Sequence, residues 1–145
     1  MRIALFLAPI FAITVAASAA PDTSPAAARR VVERYYAAID KGAFRTAWLA
    51  WDQGGAASGK SYDAFRRGFA STAHSRVVTG TPTDGDAGMS QRWITVPVDV
   101  YATLKNGQRQ HFRGTYTLHR VVAGVGASPS AMSWHISAAK LVAVR

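Results

Sequence analysis

The residue pattern that most directly suggests chemistry runs from Gly54 to Ser61, GGAASGKS, and matches the phosphate-binding consensus ending in Gly-Lys-Ser. Nucleotide-binding loops of this kind follow a β-strand within a parallel α/β sheet. Here the preceding segment is amphipathic, has helical spacing and carries two tryptophans, so the context argues against nucleotide binding. A weaker prediction remains, in which Lys60, Ser61 and nearby glycine amides at a helix start hold a small anion.

Two further sets of polar residues have partial metal-site patterns. The segment Asp84-x-Asp86-x-Gly88 begins like a calcium loop but lacks the later ligand positions, so we interpret it as a turn. His111 and His119 lie on one face of a predicted strand, eight residues apart, which is too far for a single ion. The sequence therefore predicts no metal site and no cofactor.

The first nineteen residues have the layout of a secretory signal peptide. Arg2 supplies the positive end, an apolar run extends from Ile3 to Val15, and Ala17-Ser18-Ala19 are small residues suited to cleavage before Ala20 or Pro21. The apolar run is shorter than the roughly 20 residues that span a bilayer. We therefore expect an exported protein, periplasmic or secreted and not membrane-spanning, whose residues 20–145 form a single domain.

Composition is consistent with one domain that depends on its core for stability. The chain is 49% hydrophobic and 17% charged and has no cysteine, so neither disulfides nor a cysteine-linked lipid can stabilise or anchor it. Its net charge is +9, with the arginines scattered along the sequence. We interpret them as a solvated surface and expect no nucleic acid partner; binding to anionic envelope material is an alternative.

Apolar spacing predicts three helices in the N-terminal half. Ser24 and Pro25 are typical of a helix start, and that helix should end at Lys41-Gly42. A second helix is predicted from Ala43 to about Trp51, and a third after Ser61.

Strands are predicted in the second half of the chain. They comprise a first strand at 76–81, a turn cluster at 83–88, a long hairpin at 92–122, and a last strand at 133–144 with a bulge at Ala138-Ala139. Helices followed by strands predict an α+β fold, with three helices packed in a curved four-stranded antiparallel sheet.

The hairpin has two possible turns at Asn106-Gly107. A two-residue turn would place Val100 opposite Arg113, whereas a three-residue turn with Gly107 left-handed places Val100 opposite Phe112 and makes one whole face apolar. Because a one-residue slip would turn that face outward, we predict the three-residue turn.

The other face of the hairpin then carries aromatic and charged residues in cross-strand pairs. It is either solvated or covered by a second subunit, and we predict a homodimer through it. The residues of this outer face are Trp93, Asp99, Tyr101, His111, Arg113 and His119.

The first-helix motif VVERYYAAIDKGAFRTAW (31–48), with a curved sheet closing on Trp134-His-Ile, resembles the nuclear transport factor 2-like superfamily, which includes ketosteroid-isomerase-like domains. The resemblance covers residues 24–145. It implies a cone whose helices pack in the concave sheet and leave a pocket. Members of the superfamily include isomerases, dehydratases and non-enzymatic binding domains, so the fold alone selects no activity.

Catalytic members of the superfamily usually place an Asp and a Tyr or His inside the cone. The apolar hairpin face has no carboxylate, and only Asp52 follows the second helix. The leading hypothesis is therefore a non-catalytic domain that binds a small apolar ligand or a partner protein at the cell envelope. The alternative is an isomerase or dehydratase, with Asp52 as base and Tyr35 or Tyr36 as hydrogen-bond donor. The predicted ligand-binding residues are the core aromatics Tyr35, Tyr36, Trp48, Trp51, Phe65, Phe69, Phe112, Tyr116 and Trp134.

Overall fold

A computed structural model of the chain describes residues 12–16, 19–122, 124 and 126–145. Most of the predicted signal peptide, including Ala17-Ser18, lies outside those residues. The helices are α1 Pro25–Asp40, α2 Phe44–Leu49, α3 Tyr62–Arg67 and α4 Pro129–Met132, and the strands are β1 Thr72–Thr79, β2 Thr83–Ala87, β3 Gln91–Leu104, β4 Arg109–Val121 and β5 His135–Ala143. A 3₁₀ segment, Gln53–Ser58, joins α2 to α3. Within the described part of the chain, no helix combines the length and apolar character that a membrane crossing needs.

Helix α1 begins and ends where the sequence predicts. The Ser24 hydroxyl accepts a hydrogen bond from the Ala27 amide at 3.1 Å, and Pro25 occupies the first turn, where no amide is needed. Gly42, with φ of +76°, ends the helix in a left-handed conformation. One stripe faces the sheet, and its buried members are those that the spacing predicts: Ala28, Val32, Tyr35, Tyr36 and Ile39.

The sheet is antiparallel, curved and unclosed, with strand order β1-β3-β4-β5. Strand β2 pairs with β3 beyond the end of β1. Helix α1 packs against this sheet, and the core lies between them. The residues with the most completely buried side chains are Leu118, Ile136, Val32 and Val96. The predicted α+β architecture is confirmed.

The predicted hairpin register is confirmed. Val96 pairs with Tyr116 and Val100 with Phe112, so the inner face is apolar along its middle, while Gln110 and the Arg92–Arg120 pair lie at its two ends. Gly107 has φ of +87° and donates its amide to the Leu104 carbonyl at 2.9 Å, which is the predicted three-residue turn. The burial preference of the inner face therefore overrides the usual preference of Asn-Gly for a two-residue turn.

The sheet has five strands rather than the predicted four. Residues 83–87, predicted as a turn cluster, form β2 against the first half of β3. Gly85 permits this close pairing, because a Cβ there would lie 3.1 Å from the Trp93 carbonyl oxygen. Strand β1 also begins earlier than predicted, at Thr72, and the Asp40 carboxylate accepts the Ser75 amide at 2.9 Å near its start.

Two further details differ from the sequence expectations. Helix α4, capped by the Ser128 hydroxyl, lies between the predicted hairpin and the predicted last strand, where no helix was expected. The bulge in β5 falls one residue earlier than predicted: Leu118 pairs with Ile136 and Thr117 with Ala138, so Ser137 is the extra residue. The slip allows Leu141 to pack against the core.

Candidate functional site: a tyrosine-floored cavity in the cone

Three buried tyrosines meet between α1 and β4. The consecutive residues Tyr35 and Tyr36 face the sheet from α1, and Tyr116 faces them from the inner side of β4. The hydroxyls of Tyr36 and Tyr116 are 2.6 Å apart and buried. The rings pack edge-on or tilted, with centroid separations of 5.0 to 6.0 Å, which is favourable for aromatic pairs.

Burial keeps these phenols in the neutral form. It raises the pKa of Tyr36 to about 12, and it raises the pKa values of Tyr35 and Tyr116 further still. For Tyr116 the neighbouring phenols add to the rise. At neutral pH the cluster therefore offers hydroxyl groups as donors and acceptors but no charged base.

A cavity of about 350 Å³ opens beside the tyrosines, between α1, the end of α3 and the inner face of the sheet. Its volume lies within the roughly 300 to 1,000 Å³ range of small-molecule pockets. None of the described residues that line it is ionic. These are Tyr35, Tyr36, Gly68, Phe69, Thr72, Ser75, Val100, Ala102, Gln110, Phe112, Tyr116 and Leu141.

Ser75 is an unusual member of this lining. It is 8% exposed, and its hydroxyl oxygen has no hydrogen-bond partner among the described residues, although its amide is bound to Asp40. Buried hydroxyls without partners are uncommon in folded proteins, because no hydrogen bond offsets the free-energy cost of removing the hydroxyl from water. The wall of the cavity therefore contains one polar group that the protein itself leaves unsatisfied.

A second cavity, of about 250 Å³, adjoins the first. Tyr35, Gly68 and Phe69 line both, so the two spaces are neighbours at the C-terminal end of α3. The rest of its lining is Trp51, Ser58, Lys60 and Phe65. This second space thus has one cationic side chain in an otherwise mostly aromatic wall.

The structure distributes the predicted ligand-binding aromatics among several places. The first cavity contains Tyr35, Tyr36, Phe69, Phe112 and Tyr116, and the second adds Trp51 and Phe65. Two predicted members lie elsewhere. Trp134 lines a separate groove with Arg34 and Leu49, and the Trp48 indole packs on Gly55 and donates to the Lys60 carbonyl at 3.1 Å.

Asp52 does not join the tyrosines. Its carboxylate lies 2.5 Å from His119 Nδ1, and Gln91 contacts the other ring nitrogen of His119. Since Leu118 points into the core, His119 points to the opposite side of the sheet. Asp52 and the tyrosine hydroxyls are therefore on opposite sides of β4.

Sequence reasoning missed this Asp52–His119 contact, although it placed His119 opposite Trp93 correctly. The two residues are 67 positions apart. They meet because Trp51 bridges to Ile136 and the Asp52 amide donates to the Ile136 carbonyl at 2.7 Å. No local pattern signals that the turn after α2 will dock beside the start of β5.

The outer face of the hairpin is a ladder of paired polar and aromatic groups. Tyr101 stacks on His111 at 4.3 Å, and the Arg76 guanidinium lies 4.2 Å from the centre of the Tyr101 ring. Asp99 accepts from His111 at 2.6 Å and from Arg113 at 2.9 Å. These hydrogen bonds, that of His111 foremost, hold the pKa of Asp99 below its ordinary value.

The phosphate-loop-like segment is a connection between helices. It follows α2 and precedes α3, and the sheet beyond it is antiparallel. The Ser61 hydroxyl accepts from the Ala64 amide at 3.2 Å as the cap of α3. Of the two residues predicted to hold an anion, Ser61 is thus engaged in capping, while Lys60 extends toward the second cavity.

No family model matches the sequence, and no curated protein matches it. Solved structures do share its architecture. The Kfla4162 protein from Kribbella flavida aligns with a TM-score of 0.56 and 16% identity, over 83% of this chain and 90% of that chain. Two proteins from Novosphingobium aromaticivorans also align. One, named as a candidate aromatic ring hydroxylase, has a TM-score of 0.56 and 12% identity, over 83% of this chain and 92% of that one. The other, named as a candidate scytalone dehydratase, has a TM-score of 0.55 and 11% identity, over 83% of each chain.

Identities of this size establish a shared fold and leave activity open. The helices followed by a curved, unclosed antiparallel sheet agree with these structures. The chain therefore has the nuclear transport factor 2-like cone fold.

Proposed function

We propose that this protein binds a small, largely apolar ligand in the tyrosine-floored cavity and catalyses no reaction on it. The observation that carries the proposal is the cavity itself: about 350 Å³, lined mostly by aliphatic and aromatic residues, with the uncharged polar residues Thr72, Ser75 and Gln110 and the hydrogen-bonded pair Tyr36 and Tyr116 among them. Apolar walls with a few placed polar groups are typical of sites that bind and orient ligands.

Charge chemistry supports binding over catalysis. General acid–base catalysis needs a group that titrates near neutral pH and lies within reach of the substrate. The described lining of the cavity contains no carboxylate, imidazole or amine, and burial holds its phenols neutral. The isomerase or dehydratase hypothesis has less support, because Asp52 is bound to His119 on the other side of β4.

A dye-binding experiment tests the cavity directly. The neutral dye N-phenylnaphthylamine fluoresces in apolar surroundings, and we expect it to bind the wild-type protein. Ala102→Trp places a large ring inside the first cavity and should abolish the signal. Thr103→Trp, on the adjacent outward-facing position of β3, is the matched control and should retain it. Equal dye binding by both variants would contradict the proposal.

Asp52 provides a second control. Asp52→Asn should leave dye binding unchanged, because the carboxylate faces away from the cavity and contacts His119. If Asp52→Asn instead abolished ligand turnover in an isomerase or dehydratase assay, the non-catalytic proposal would have to be given up.

We further propose that the domain is exported and acts at the cell envelope. The support is the order of Arg2, the apolar run and the small residues before Ala20, which is typical of a cleaved signal. Amino-terminal sequencing of the protein from the expressing cells should begin at Ala20 or Pro21. A mature protein that begins at Met1 would contradict export. The positive net charge leaves binding to anionic envelope material as an alternative, which added salt should weaken.

The outer sheet face is the proposed homodimer surface. It carries the stacked Tyr101 and His111 rings, and the exposed side chains Val78 and Val142 flank the Asp99–Arg113 pair on neighbouring strands. Sedimentation should show a dimer for the wild type and a monomer for Val142→Glu. A monomeric wild-type protein at all concentrations would contradict this surface.

A further inference from the structure

The Lys60 ammonium group lies where the two cavities are neighbours. An ideal Cβ placed on Gly68, which lines both spaces, would be 3.7 Å from Lys60 Nζ. Lys60 is an exposed residue that precedes the cap residue of α3, and its side chain thus extends along the helix toward Gly68 at the C-terminal end. Because Gly68 has no side chain, nothing from this position separates the ammonium group from the aromatic wall.

The backbone of Lys60 is held in place by hydrogen bonds. The Trp48 indole donates to its carbonyl at 3.1 Å, and its amide donates to the Ser58 hydroxyl at 3.2 Å. Trp48 is itself fixed against Gly55, where a Cβ would overlap the indole ring at 2.3 Å. These contacts fix the base of the side chain and limit where the ammonium group can reach.

No carboxylate of the described residues pairs with Lys60. The ion pairs of the described chain involve Arg29, Arg30, Arg66, Arg113 and three histidines with their acidic partners. A cation beside an apolar pocket, without an anion of the protein to neutralise it, favours a ligand that brings its own negative charge.

We propose that the ligand is an amphipathic monoanion: an apolar body, aromatic or aliphatic, that carries one carboxylate. The body occupies the tyrosine-floored cavity, and the carboxylate lies in the second cavity against Lys60. This inference rests on the proposed function and adds the ligand class to it. It also relocates the anion site expected from the sequence, from the glycine amides and Ser61 to the end of α3 where Gly68 lies.

The test compares two isosteric competitors, 2-naphthoate and naphthalene-2-carboxamide, which differ in charge. Each displaces N-phenylnaphthylamine from the wild-type protein, and we expect naphthoate to bind about fivefold more tightly, the scale of a partly exposed ion pair. Lys60→Met should remove that preference, because it should weaken naphthoate binding more than carboxamide binding. Lys105→Met, in the β3–β4 turn, removes the same charge elsewhere and should retain the preference.

The outcomes separate the two proposals. If the dye does not bind the wild-type protein in the cavity, the proposed function fails. Three results would overturn the inference about the ligand class while the cavity proposal stands. The dye binds but the two competitors have equal affinity, or neither competitor displaces it. Alternatively, Lys60→Met and Lys105→Met have the same effect on the preference for naphthoate. The naphthoate preference should also shrink with added salt, and a preference indifferent to salt would contradict an ion pair.

Discussion

Along the middle of the inner face of the β3–β4 hairpin, from Ile94 to Val100 and from Phe112 to Leu118, the polar side-chain atoms are few, buried and uncharged, whereas on the outer face they are many, charged and mutually paired. Tyr116 faces inward, and its hydroxyl is hydrogen-bonded to the hydroxyl of Tyr36. Asp99 faces outward and is shared by His111 and Arg113. The difference follows from the solvent each face meets. A charge costs little beside water and much inside the cone, so ionic groups are absent from the buried middle of the inner face, and Arg92 and Arg120 lie at its end.

The largest expected difference between the two faces is in stability. Leu118 is fully buried on the inner side of β4. Leu118→Ala should lower the free energy of unfolding by about 2 to 5 kcal/mol, because a cavity remains where the larger side chain was. Val142 is 69% exposed in the single chain, and Val142→Ala should stay within about 0.5 kcal/mol at protein concentrations below those at which the proposed dimer forms. Urea denaturation at neutral pH measures both. Similar losses for the two variants at those concentrations would contradict the difference between the two faces.

A second expected difference concerns alkaline pH. The phenols of Tyr35, Tyr36 and Tyr116 have pKa values raised by burial, that of Tyr36 to about 12 from an ordinary value of 10.0. A raised folded-state pKa contributes stability that is fully present below the unfolded value and is lost as the pH rises through the folded value. Stability should therefore fall between pH 10 and about 12.

Tyrosinate absorbance followed together with circular dichroism checks this prediction. Ionisation of the buried phenols should coincide with unfolding. The variant Tyr36→Phe, which removes one of them, should show a smaller loss over the same interval. If all five tyrosines formed tyrosinate near pH 10 in a protein that stays folded, the inner face would be exposed to water.

The smallest expected effect on stability is that of acid pH on Asp99, in the ladder of polar and aromatic groups on the outer face. Hydrogen bonds from His111 and Arg113 lower the pKa of Asp99 below its ordinary value of 3.8. Its contribution to stability is therefore present above that pH and is lost as the pH falls below it. Asp99→Asn should lower the urea midpoint slightly at neutral pH and by less in high salt, since exposed pairs are screened. A large loss that salt does not reduce would show that this face is shielded from solvent.

Much of the fold is predictable because its signals are local or periodic. Ser24-Pro25 starts α1, the apolar alternation in β3 and β4 defines the inner face, and that alternation selects the three-residue turn with Gly107 left-handed. Strand β2 is less predictable. Asp84, Gly85 and Asp86 are turn-forming residues with low strand propensity, and β2 forms, with an irregularity between Asp84 and Ala87, because β3 offers a free edge there.

The candidate site, like the fold, is predictable from the sequence only in part. The spacing of aromatics along α1 and the hairpin was enough to predict that Tyr35, Tyr36 and Tyr116 point inward, because periodicity determines which face a side chain occupies. Which polar groups meet was decided by contacts distant in sequence. Docking of the turn after α2 beside Ile136 takes Asp52 to His119. The Ser61 hydroxyl is engaged in capping α3, and the Lys60 ammonium group lies beside Gly68, which lines the cavity. Periodicity along one chain segment cannot specify such meetings, whereas the packing of the whole cone does.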